Sequence, residues 1–241
     1  MAVNQIQDPR RATRHFFFII AVAFPLIVLA GFARTYYLKV FFGTPPVASL
    51  LVHLHGFVMT AWIALFVTQI WLISSKRIKL HQRLGIASIA LAVLVFAVGT
   101  LTAISAAKYG SASSPPDIPP LAFLVVPFFD MILFLVFFGF AIYYWRRPAN
   151  HKRMILLTAF NFLPPAIARI PIGIISSLGP LAFFGIPDFL AITFVAVDTW
   201  KHGKLNKPFA LGALLLIASH PLRLMLSGTD AWMLFAAWLT S

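Results

Sequence analysis

Apolar residues do not alternate along this chain; they run. Continuous apolar stretches fall at about 16–34, 49–74, 84–107, 121–145, 153–176, 181–200 and 208–227. Each reaches the roughly 18–20 residues that carry a helix across a bilayer. A membrane β-barrel would instead show shorter segments with every second residue apolar. The pattern predicts an all-α fold: a polytopic membrane helical bundle of about seven transmembrane helices in one domain spanning 1–241. A short apolar tail with Trp232 and Trp238 follows the last span. The fifth stretch contains Pro164, Pro165 and Pro171, which predict a kink or break, because proline removes a backbone donor and clashes with the preceding turn. Pro221 loosens the seventh stretch beside His220.

Charge then orients the bundle. Lysine and arginine collect before the first stretch (Arg10, Arg11, Arg14), after the second (Lys76, Arg77, Lys79, with Arg83 beyond), after the fourth (Arg146, Arg147, Lys152, Arg153) and after the sixth (Lys201, Lys204, Lys207). The alternate loops hold only Arg34, Lys39 and Lys108. Basic residues on every second loop predict a cytoplasmic N-terminus, an outer C-terminus and a multi-pass protein of the cell inner membrane. The first stretch exceeds the apolar core of a signal peptide and is read as a helix. The net charge of +13 is thereby explained by membrane insertion, with the lipid bilayer as partner and no nucleic acid.

Composition narrows the chemistry. The chain is 61% hydrophobic and 10% charged, against about a quarter charged in soluble domains. It has no cysteine, which excludes disulfides, iron–sulfur clusters and covalently attached haem. It has no glutamate either, so a carboxylate inside the membrane must be Asp130, Asp188 or Asp198.

Polar side chains inside spans are costly and face the bundle interior or a cavity. His55, Trp62 and Gln69 recur every seven residues and share one stripe of the second span. His53 lies about 200° around the helix from His55 and reaches the headgroups. At 1.5 Å per residue, His55, Asp130, Asp188, His220 and Arg223 fall within about 8–18 Å of the outer surface, with Arg169 near them. This buried polar cluster contains two acids and two permanent cations, and the clasps it predicts are Asp130–Arg169 and Asp188–Arg223. At the inner surface, His81 and His151 open the third and fifth spans. A helix N-terminus disfavours imidazolium, and neutral imidazole is the form that binds metal. Arg83 and Arg153 beside them, with free helix N–H groups, suit an anion.

Several of these residues carry a likeness. An early histidine and late glutamine in one span (His55, Gln69), then "HQRLG" at 81–85 and "HKRM" at 151–154, resemble an uncharacterised family of bacterial predicted integral-membrane proteins. Arg169 matches an arginine that the family carries late in the same span. The match covers about 50–175 and departs from the pattern at Gln82 and Lys152, where arginine is usual, and in lacking a tryptophan before Met154. The family implies a multi-span bundle and no settled activity. The layout is also architecturally similar to transmembrane cytochromes b, including the ascorbate-reducible type, which hold haem between histidines of different spans.

Three readings remain open. The first is haem b carried between spans, moving electrons to or from a quinone or a redox partner protein. His55 with His220 would hold an outer haem. His81 with His151 would hold an inner one, with Arg83 and Arg153 on its propionates. The second is an intramembrane metal-dependent enzyme with zinc on His53 or His55, Asp188 and His220. The third is a transporter, or a membrane subunit or assembly factor of a larger complex, with no cofactor.

Overall fold

A computed structural model describes residues 9–44, 49–111, 115 and 117–241, with the side chains of 9–18 and 21 excluded. The arginines expected to flank the first span thus lie outside the described side chains, and part of the proline-rich loop at 110–120 lies outside the described residues. Everything described is helical or turn, with no strand. The elements are α1 (Pro9–Phe32) with a π-helical extension (Ala33–Tyr37), α2 (Leu50–Ser74), α3 (Ile78–Tyr109), α4 (Pro120–Phe123), α5 (Val125–Tyr143), α6 (Pro148–Asn161), α7 (Pro164–Ile167), α8 (Gly173–Leu178), α9 (Pro180–Phe183), α10 (Gly185–His202), α11 (Lys207–Ser227) and α12 (Asp230–Thr240).

Five segments are long and apolar enough to cross a membrane: Leu50–Ser74, Ile78–Tyr109, Pro120–Tyr143, Pro180–His202 and Lys207–Ser227. The other two of the seven expected spans differ for separate reasons. The described apolar part of the first, Val22–Tyr37, is shorter. The fifth is broken: α6 stops at Asn161, the single-turn α7 starts at Pro164, and α8 begins only at Gly173. Two consecutive prolines cannot donate to the preceding turn, which ends α6 there. The apolar tail folds as α12, and its Trp232 Nε1 donates to the Leu121 carbonyl at 2.9 Å.

Local signals set the helix starts. Ser49, Asn206 and Thr229 accept the backbone N–H groups of Val52, Phe209 and Trp232, each satisfying an otherwise unpaired donor of a first turn. Pro148 sits at the start of α6, where its missing N–H costs nothing. Short turns join α2 to α3, α5 to α6 and α10 to α11, and each pair packs side by side. These turns carry the lysines and arginines, and they share one end of the bundle. There His81 of α3 approaches His151 of α6, and Asn206 before α11 donates to Asn150 of α6 at 2.8 Å.

One large core runs through α1, α2, α3, α5, α6, α7 and α11. Trp62 anchors it, edge-on to Phe134 at 4.9 Å and Phe138 at 5.5 Å of α5. The outward positions are also apolar: Phe57, Leu94, Phe140, Phe189 and Leu214 are all exposed. Apolar groups both inside and outside a helical bundle fit lipid as the surrounding solvent.

Candidate functional site

Two polar regions form inside this bundle. The first surrounds Asp130 on α5. Its carboxylate accepts from Arg223 Nη1 of α11 at 2.5 Å, and its backbone carbonyl accepts from Asn161 Nδ2 at the end of α6 at 2.8 Å. Arg223 also donates to the Val126 carbonyl (3.3 Å) and to Ser219 Oγ (3.2 Å). One residue beyond Ser219, His220 is 2% exposed, lies flat on Phe184 with ring centres 4.4 Å apart, and meets Asp188 of α10 through Nδ1 at 2.8 Å. The expected clasps are therefore re-paired. Asp130 takes Arg223 rather than Arg169, and Asp188 takes His220 rather than Arg223. The cause is helix adjacency: α11 packs against both α5 and α10, and positions 220 and 223 lie on one face of it.

Arg169 is left on the other side of the helix break, in the turn after α7. Its Nη1 donates to the Pro165 carbonyl at 2.7 Å, a group left free because α7 ends there and the Arg169 N–H turns to Ala166 instead. Its guanidinium sits 4.9 Å over the Phe32 ring of α1. His55 is within Coulombic range of it. His55 and His220 are thus drawn into separate polar groups, one beside α7 and one beside α10. His53, in contrast, is exposed and is touched by Tyr36, which donates to its carbonyl at 3.1 Å.

The second region is at the basic end. The ring centres of His81 and His151 are 6.4 Å apart and their planes stand at 84°. His151 Nδ1 lies 2.8 Å from the Ala141 carbonyl in the last turns of α5. A carbonyl only accepts, so this contact places the proton on Nδ1 and leaves the Nε2 lone pair available. Buried His81 Nδ1 has no hydrogen-bond partner. Gln69 abuts the start of α3 near Gly85, and its buried Oε1 is unpartnered too. Arg83 is exposed. Arg153 departs from expectation: it is buried and grips Asp198 of α10 twice, Nε to Oδ2 at 2.9 Å and Nη2 to Oδ1 at 2.5 Å, and it also donates to the Ala149 carbonyl. That leaves it no edge for a propionate. Asp198 also draws His202, whose Nδ1 is 2.7 Å from its carbonyl.

Among the described residues, no group of three or more His, Cys, Asp or Glu side chains could hold a metal ion. A catalytic zinc uses about three protein ligands, so the zinc enzyme loses its geometric support. A haem iron needs only two from the protein, since the porphyrin supplies the rest. Asn161 and Ser219 complete the Asp130 region and were not read from the sequence; the signal available was an amide directly before "FLPP" in an apolar run. Compared with protein-family models, curated proteins and solved structures, the chain matches none.

Proposed function

We propose that this chain is a multi-pass protein of the cell inner membrane that holds a haem b between His81 and His151 and carries electrons. The observation behind this reading is the close histidine pair. A metal–imidazole bond is about 2.0 Å long, so two imidazoles on opposite sides of one ion have centres roughly 6 Å apart. The observed 6.4 Å fits that span. A ligating histidine also gives its other N–H to a carboxylate or backbone carbonyl, which fixes its tautomer; Ala141 does this for His151. Exposed Arg83 and the other cations of this end suit the propionates, while Arg153 is reserved for Asp198.

Haem b would supply reversible one-electron iron chemistry. The chain's own part is to bring the two imidazoles together from two helices and to offer positive charge at the membrane surface. A quinone or a redox protein is the electron partner proposed. A reduced-minus-oxidised visible spectrum of the purified protein tests the reading. Sharp b-type bands at one haem per chain are expected, lost in both His81→Ala and His151→Ala. A flat spectrum after expression with ample haem sinks it. The cysteine-free chain also allows the orientation to be checked. Lys76→Cys should react with a thiol reagent only from the cytoplasmic side, and Tyr109→Cys only from the other.

A second reading, a membrane carrier, has the break between α6 and α8 in its favour. Discontinuous helices line substrate paths in carriers, and here Asn161 is buried beside the break with Arg169 half-buried just beyond it. Substrate-driven charge movement in proteoliposomes from colourless protein would favour this reading over the first.

A further inference from the structure

Three arginines lie inside this bundle, and two have acids. Arg153 holds Asp198 and Arg223 holds Asp130, while His220 takes Asp188. Those are the only three carboxylates available at membrane depth, because the chain has no glutamate and its remaining acids are Asp8, Asp117 and Asp230. Arg169 alone has no acidic partner among the described residues. A guanidinium stays charged at any working pH, and an unpaired charge at membrane depth is costly.

Its geometry says what is missing. Nη1 is committed to the Pro165 carbonyl, and no described group takes Nε or Nη2. These two donors form one edge of the fork, the edge that matches two oxygens of a carboxylate side-on. Phe32 lies against the guanidinium face and limits its rotation. Gly31 fixes the setting: a Cβ there would overlap the Ala166 carbonyl, so α1 and α7 meet backbone to backbone. His55 lies within Coulombic range of Arg169.

We infer that Arg169, with His55 beside it and Phe32 beneath it, binds the carboxylate of an amphipathic organic anion that enters from the lipid. The anion supplies the charge that no described acid supplies, and its apolar body lies along the surrounding apolar surface. This site is separate from the His81–His151 pair, so a flat haem spectrum leaves it standing.

Thermal unfolding of the full protein in a neutral maltoside micelle tests the site, with decanoate as probe and decanol as its uncharged counterpart, both below micellar concentration. Decanoate at about a hundredfold excess over its Kd should raise the Tm by roughly 5 °C or more, and decanol should not. Arg169→Gln should abolish the shift. Arg169→Lys, which keeps the charge and loses the fork, should weaken binding about tenfold. Native mass spectrometry of wild type and Arg169→Lys gives the same comparison if Arg169→Gln does not fold. No decanoate response in wild type, an equal response to decanol, or an unchanged response in Arg169→Gln overturns the proposal. A response to decyl phosphate alone overturns the carboxylate in favour of a phosphate headgroup.

Discussion

The Asp130 region and the histidine pair are both polar, both assembled from separate helices, and opposite in their saturation. Around Asp130, each charged group meets an opposite charge or a backbone carbonyl: Arg223, Asp188 and His220 are tied by contacts of 2.5–2.8 Å. At the basic end, His81 Nδ1 and Gln69 Oε1 are buried with no partner, and the two imidazoles lie edge to face at 6.4 Å without bonding. A saturated cluster holds helices together, since removing one member strands the rest. An unsaturated one holds capacity for something else. The contrast is not complete, because His220 Nε2, Arg223 Nε and Asn161 Oδ1 are also buried and unpartnered. In the Asp130 region these atoms belong to side chains already anchored elsewhere.

This contrast can be broken by substitution. The largest effect is expected from Arg223→Met, which strands a buried carboxylate; the loss should be about 3–5 kcal/mol, read as a Tm fall of roughly 10 °C. Adding Asp130→Leu should restore most of it, because removing both charges is far cheaper than removing one. A double variant no more stable than the single would mean that Asp130 has other obligations. Arg153→Met should cost less, about 2 kcal/mol, because Asp198 is partly exposed and keeps His202 nearby. At the basic end stability and cofactor should part company. His151→Ala gives up one hydrogen bond, about 1 kcal/mol, and His81→Ala less, yet each should remove the whole b-type signal. A destabilisation as large as that of Arg223→Met would make the pair structural. Smallest is Lys76→Gly in the adjoining turn. Lys76 has φ +58°, a backbone that glycine adopts freely, so this change should stabilise by about 0.5–1 kcal/mol in the same melting assay.

The bundle was legible because hydrocarbon enforces long apolar runs, and the break at Pro164–Pro165 because proline chemistry is local. The interior stripe was legible through the seven-residue repeat of His55, Trp62 and Gln69, and His55 rather than His53 does turn inward. The meeting of His81 and His151 followed from two short loops ending on one face. What could not be read was partner choice. The sequence reading set Asp130, Asp188, Arg169 and Arg223 at similar depth, but depth is one coordinate. Which helix stands beside which is a second, and it depends on packing between segments far apart in sequence. The same gap hid the Arg153–Asp198 grip, since α10 lies 45 residues along from α6.

The distance along the chain between Asp130 and Arg223 has a consequence for biosynthesis. They are separated by 93 residues. At about 5–20 residues per second of translation, the arginine emerges roughly 5–20 s after the aspartate. For about the last two-thirds of that interval α5 and α6 have both been made, and the counter-charge of Asp130 has not. The early helices must then wait at the edge of the insertion machinery, with the carboxyl group either hydrated or protonated, until α11 arrives. Final burial of the first half of this protein is therefore a late event, timed by the synthesis of the second half.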